Sequence, residues 1–217
     1  MANEPSLVLA SASPRRRELL AELGLPFRVE SADIPEQRQP GEIPAHLAER
    51  LAREKAKAVA NRLRAEGLVG SIYVVGADTV VVADKSALGK PKNTEDAMRM
   101  LRRLRGKSHR VVTGVAVINP RTGRILEGAS TTRVWLRPLT DQEIADYVAS
   151  GDPLDKAGAY AIQNRAFQPV EKILGCYSNV VGLPLCTLAE LLSELGVQPR
   201  WTPSRRGLEC DCQTLIR

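Results

Sequence analysis

The chain of 217 residues is 43% hydrophobic, enough for one large domain or two small ones. No apolar run is long enough to span a bilayer, and Met1-Ala2-Asn3-Glu4 places no basic segment ahead of an apolar one, so a cytoplasmic protein with no membrane partner is expected. The 31 Lys and Arg against 25 Asp and Glu give a net charge of +6, which fits either a nucleic-acid footprint or a pocket for a phosphorylated small molecule.

The basic residues form no single stripe, and aromatics make up only 4%, which argues against stacking platforms for single strands. No nucleic-acid partner is expected, and the small anion is favoured. Cys176, Cys186, Cys210 and Cys212 match neither a disulfide framework nor a zinc spacing, so mostly inert thiols in a reducing compartment are expected. With only His46 and His109 available, any metal would need oxygen ligands and be a hard cation.

In chain order, Ser6 to Ala10 reads as a short buried strand, and Ser13 caps a helix that Pro14 opens and Gly24 closes. Phe27 to Glu30 suggests a second strand, and Glu36 to Pro44 a polar loop. A long helix is expected from Ala45 to about Arg64. Ile72 to Ala83 is almost continuously apolar and β-branched, the pattern of a strand buried on both faces.

Asn93 caps a helix that runs to Gly106, and Val111–Ile118 with Arg124–Leu136 reads as a hairpin. Thr140 and Glu143 form a capping box for a helix ending at Gly151, and a last helix spans Pro184 to Leu195. Strands alternating with helices predict an α/β fold with a mixed sheet. The expected domain covers residues 1–198, and residues 199–217 read as a loose, basic tail.

Six stretches carry chemistry. Ala10-Ser11-Ala12-Ser13-Pro14-Arg15-Arg16-Arg17 sits where a strand hands over to a helix, and the free N–H groups of a helix start attract phosphate. A capped helix with a solvated basic turn is the plainer reading, although three cations there oppose the helix dipole. Lys55 falls on the row Leu47, Leu51, Val59, Leu63, so it either snorkels to water or reaches into an anionic site.

Asp78 lies inside a run of valines, where an ionised carboxylate is costly unless paired or bound to metal. A hydrogen-bonded structural role stays open, with a metal ligand or general base favoured. Lys90 lies in the rigid Gly89-Lys90-Pro91 loop. Asp155 to Gln163 and Ser178 to Pro184 mix small and polar residues and suit close backbone contact with a ligand. No Ser-His-Asp or Cys-His set, Walker loop or dinucleotide fingerprint occurs, so water attack on phosphate with a hard cation suits the inventory.

At these residues the sequence resembles the Maf family of nucleotide pyrophosphatases. The matching pieces are Leu9 to Arg16, Leu51 to Ala56, Gly76 to Thr79, Gly89 to Pro91, Thr113 to Val115, Asp155 to Gln163 and Asn179 to Pro184, in the family's order. The resemblance implies a two-lobed, inosine-triphosphatase-like fold, a homodimer, a Mg²⁺ or Mn²⁺ cofactor, and attack at the α-phosphorus of a nucleoside triphosphate. It implies that Ser13 and Arg16 bind phosphate, Lys55 and Lys90 neutralise it, Asp78 accepts a proton, and Glu36 and Asp78 hold the metal.

Arg15, Thr79 and Gln163 resemble the branch acting on dTTP and UTP rather than the 7-methyl-GTP branch. Pro35 stands where an acidic residue often precedes the Glu36 position, and Asn164 and Arg165 stand where glycines are usual. A nucleotide-binding regulator of division without turnover, or a pyrophosphatase for another non-standard nucleotide, are the alternatives.

Overall fold

The computed structural model describes residues 5–68 and 70–200. A single seven-stranded mixed sheet runs through it. The strands are β1 (Ser6–Leu9), β2 (Phe27–Val29), β3 (Ile72–Ala83), β4 (Ser86–Leu88), β5 (Ser108–Ile118), β6 (Ile125–Leu136) and β7 (Val170–Leu174). Their order is β2-β1-β3-β5-β6-β7, with β4 also on β3. The β2-β1-β3 end is parallel and the β3-β5-β6-β7 part is antiparallel.

Six helices flank this sheet: α1 (Pro14–Ala21), α2 (Pro44–Ala65), α3 (Thr94–Leu104), α4 (Asp141–Ala149), α5 (Tyr177–Val181) and α6 (Leu185–Glu194). Among the described residues no helix is long and apolar enough to cross a membrane. The expected elements are therefore present, with three additions. β4 has only three residues, β7 is a half-exposed edge, and α5 occupies part of the stretch read as a polar lead-in to α6. The segment after Gly151 folds as two 3₁₀ turns, Asp152–Asp155 and Ala157–Ala159. The tail expectation falls mostly on residues 201–217, outside the described ones; Arg200 still donates its amide to the Leu23 carbonyl at 2.9 Å.

Local chemistry sets the helix ends. The Ser13 hydroxyl accepts from the Arg16 amide, Asn93 accepts from the Asp96 amide, and Thr140 with Glu143 forms the reciprocal box. Packing then divides the core. Leu7, Leu9, Leu20, Leu23, Val75 and Leu188 gather at the β1 end, while Leu101, Leu104, Val134, Ile144 and Tyr147 gather at the other.

The other sheet face belongs to α2. Its Ala48, Ala52, Ala56 and Ala60 form a buried row at four-residue spacing. Small residues let the helix backbone reach the sheet, and it does so over two glycines. A Cβ on Gly76 would lie 2.2 Å from the Ala52 carbonyl oxygen, and one on Gly114 would lie 2.6 Å from that of Ala48. Gly114 pairs across the ladder with Asp78, and Gly76 precedes Asp78 by two on the same face. The two glycines thus bring α2 down beside the one carboxylate of the strand.

This contact is with backbone, which cannot rotate away. Gly76→Ala is expected to cost at least about 3 kcal/mol in urea unfolding. Gly70→Ala, whose Cβ meets nothing within 4 Å, should stay within about 0.5 kcal/mol.

His109 on β5 is buried, and its Nε2 lies 2.7 Å from the Tyr160 hydroxyl. Burial holds its imidazole down to about 4. Between that value and the unfolded value of about 6.5, the unfolded chain takes up a proton that the folded protein refuses. Stability is therefore full above about pH 6.5 and falls toward pH 4, by on the order of 3 kcal/mol from this group. The urea midpoint of His109→Gln, followed against pH beside wild type, should lose that part of the slope.

Candidate active site

A cleft of about 470 Å³ opens where β1, β3 and the loop after Gly151 meet. That volume is in the range of small-molecule sites. Ser13, Arg15, Arg16, Glu36, Lys55, Asp78, Thr79, Lys90 and Gln163 all line it, so these nine candidate site residues arrive in one place. Arg17 does not; it is exposed on α1.

The centre is Lys55. It is buried at 7% exposure, and its Nζ sits 2.7 Å from Asp78 Oδ1 and 2.6 Å from Glu36 Oε1. Of the two readings left open by its helical position, the reach into a charged site is the one observed. Lys55 cannot snorkel because α2 lies too close to the sheet, and Asp78 stands directly beneath it.

The two carboxylates respond differently to the same cation. Desolvation raises the Asp78 carboxyl above its ordinary range, and the Lys55 and Arg16 charges only partly offset this. Glu36 also feels burial, but its side chain is 52% exposed, and the hydrogen bond and charge of Lys55, with Lys90 and Arg16, bring it below its ordinary value. Environment, rather than residue type, separates a proton-ready carboxylate from a firmly ionised one.

Arg16 forms the second fixed point. Its Nε donates to the Gly182 carbonyl at 2.8 Å, Nη1 to Ser11 Oγ at 3.1 Å and Nη2 to Thr79 Oγ1 at 3.1 Å. Three of its five donors are used to orient the fork, and two remain for a ligand. Thr79 Oγ1 also lies 3.0 Å from Thr113 Oγ1, so the Thr79 hydroxyl supports Arg16 from below. Arg15 reaches across the cleft, with Nη1 3.3 Å from Asp155 Oδ2.

Ser11, Gly182 and Asp155 were not singled out individually from sequence. Ser11 was readable as a small polar residue ahead of the cap. Gly182 acts through its carbonyl and Asp155 through a contact 140 residues away in sequence, neither of which leaves a local signal. Lys156 is buried, but its ammonium is held by Asp152 and Asp155.

The profile of the family described as Maf-like protein matches residues 6–195. The chain belongs to the Maf-like family. It is 54% identical over 190 residues to the dTTP/UTP pyrophosphatase of Geobacter sulfurreducens (strain ATCC 51573 / DSM 12127 / PCA), covering 88% of this chain and 96% of that one. It is 45% identical over 219 residues to the dTTP/UTP pyrophosphatase of Dehalococcoides mccartyi (strain ATCC BAA-2266 / KCTC 15142 / 195), covering 99% of this chain and 92% of that one. A solved structure, that of the Staphylococcus aureus Ham1 protein, overlays with a TM-score of 0.38 and 14% identity over 76% of this chain and 90% of that chain, too slight a likeness to build on.

In this Maf-like chain, no group of three or more His, Cys, Asp and Glu gathers as a metal cluster among the described residues. Two carboxylates nevertheless converge on one cationic point, the Lys55 ammonium. A Mg²⁺-type cation commonly takes only one or two carboxylates and fills its shell with water and substrate phosphate. The donor set of Glu36 and Asp78 fits that pattern.

Removing the cation at the centre should expose the cost of burying Asp78. Lys55→Met leaves that carboxylate without its ion-pair partner, at a cost of about 3–5 kcal/mol near neutral pH. The folded variant then binds a proton that the unfolded chain has released, so its stability falls as pH rises from about 4 through the raised Asp78 value. Unfolding by urea at pH 5 and pH 8 should show a larger deficit at pH 8.

Proposed function

We propose that the cleft hydrolyses dTTP and UTP to the monophosphate and pyrophosphate. The observation that carries this reading is the buried Lys55 held between Glu36 and Asp78, facing Arg15, Arg16 and Lys90 within one cleft. Five cations and three carboxylates line the cleft, an excess smaller than the charge of a fully ionised triphosphate. The names carried by relatives at 54% and 45% identity support the substrate class.

The triphosphate lies along the α1 start, with Ser13 and Arg16 contacting phosphate and Lys55 and Lys90 neutralising it. A water attacks the α-phosphorus. The new bond joins the water oxygen to that phosphorus, and the bond from it to the bridging oxygen breaks, so pyrophosphate leaves. Asp78, whose pKa desolvation raises, takes the water's proton. Glu36 and Asp78 would hold a divalent cation, which would supply charge neutralisation at the reacting phosphate. Gln163, Thr79 and Arg15, which also line the cleft, are assigned to contact with the base.

Pyrophosphate release from dTTP, UTP, CTP, ITP and 7-methyl-GTP, with Mg²⁺ and with EDTA, tests the reading. Metal-dependent release from dTTP and UTP is expected, and Asp78→Asn should lower it by about two orders of magnitude while the protein stays folded. Full turnover in that variant would remove Asp78 from the chemistry. Nucleotide binding without release from any substrate would favour a regulator that keeps the site but not the reaction.

A further inference from the structure

The cleft residues Ile162 and Gln163 lie in an irregular segment between the 3₁₀ turns and β7, with no ladder to hold them. Their neighbours on both sides are tied to one point. Before them, the Ala161 amide donates to the Tyr147 hydroxyl at 3.2 Å. After them, Asn164 Nδ2 donates to Asp152 Oδ2 at 3.1 Å. The Tyr147 hydroxyl in turn donates to that same Asp152 oxygen at 2.6 Å.

Asn164 also closes the loop from within. Its Oδ1 accepts the Phe167 amide at 2.8 Å and the Ala166 amide at 3.2 Å, and its own amide donates to the Ala161 carbonyl at 3.2 Å. Phe167 stacks on Tyr147 with ring centroids 3.9 Å apart and planes 15° from parallel. The ring of contacts returns to its start. Asp152 is anchored by the buried Lys156, whose Nζ lies 2.9 Å from its Oδ1. Asp152, Tyr147 and Asn164 are all absent from the cleft wall.

We propose that Asp152, Tyr147 and Asn164 form a clasp that fixes Ile162–Gln163 at the cleft and thereby sets discrimination among bases without touching the nucleotide. They are positioning residues, and the proposal rests on the reading of Gln163 as a base contact. An exposed amide side chain reads a base edge only where its backbone is held at hydrogen-bonding distance, since small misplacements lose the bond. Fixing the two residues on either side of the reader supplies that hold.

The test compares kcat/KM for UTP and CTP in wild type, Asn164→Ala, Tyr147→Phe, Gln163→Ala and the double variant Gln163→Ala/Asn164→Ala. Amide hydrogen exchange at Ala161 and Phe167 is followed in the nucleotide-free proteins. Tyr147→Phe keeps the stacked ring and removes only the hydroxyl, which guards against simple misfolding. The clasp predicts that Asn164→Ala and Tyr147→Phe each lower the UTP to CTP ratio about fivefold, the scale of one lost hydrogen bond.

The exposed amide should exchange about tenfold faster in each single clasp variant, Ala161 in Tyr147→Phe and Phe167 in Asn164→Ala. In the Gln163→Ala background, Asn164→Ala should change the ratio less than about twofold, because its route to the base is gone. An unchanged ratio in both variants, unchanged exchange, or an Asn164→Ala effect that persists in full without Gln163 would overturn the clasp. Wild-type protein that turns over neither nucleotide would sink the pyrophosphatase reading, while the exchange rates still decide whether the segment is held as described.

Discussion

The Lys55 ammonium between Asp78 and Glu36 is the interaction around which the molecule is arranged. A carboxylate inside a valine-rich strand is unstable as an ion unless a cation is delivered to it. The delivery is mechanical. Four alanines on α2 and the bare backbones of Gly76 and Gly114 let the helix settle until Lys55 has Asp78 within 2.7 Å. Larger residues at any of those positions would lift the helix and strand the charge. The packing of small residues and the electrostatics of the site are therefore one constraint.

A second, polar structure extends from Arg16 through the sheet on the opposite face from α2. Thr79 and Thr113 face each other across β3 and β5, and Thr113 donates to the Asn179 carbonyl at 3.1 Å. Asn179 is fully buried and donates to the Val111 carbonyl and to Thr132 Oγ1, which is bonded to the Cys176 backbone. A shift of α5 would break these buried hydrogen bonds and leave their partners unpaired, at a cost for each. Here the arrangement fixes α5, and with it the Gly182 carbonyl that aims the Arg16 fork.

Much of this was legible in the residues. The almost continuous apolar and β-branched run sets the bounds of β3, caps place α1, α3 and α4, and the one aspartate among valines marks the centre of the site. What the residues did not disclose falls into two kinds. Short or edge elements such as β4, β7 and α5 carry too few periodic positions to separate from loops. Helical spacing gives the face of Lys55 but not the distance to the facing strand, so it does not separate snorkelling from reaching inward. That distance depends on the Ala48, Ala52, Ala56, Ala60 row read together with Gly76 and Gly114, a signal present in the sequence but spread over more than sixty positions. Contacts made through carbonyls, as at Gly182, leave no side-chain trace at all.

The two sides of the cleft are held by different means, and this bears on how each can change. On the side proposed to take phosphate, Lys55, Asp78 and Arg16 project from regular elements, and each is fixed by buried neighbours that a substitution would disturb at a cost to the whole fold. On the side proposed to take the base, Gln163 sits in an irregular, partly exposed segment held by a few hydrogen bonds through Asp152 and Asn164. Loosening or rerouting those bonds need not move α2 or β3, since none of the clasp residues touches the Lys55 ion pairs. Under the proposed reading, base preference is free to vary over a fixed geometry for phosphate, because the residues proposed to face phosphate are set by the packing of the core and the one proposed to face the base by the stitching of a loop.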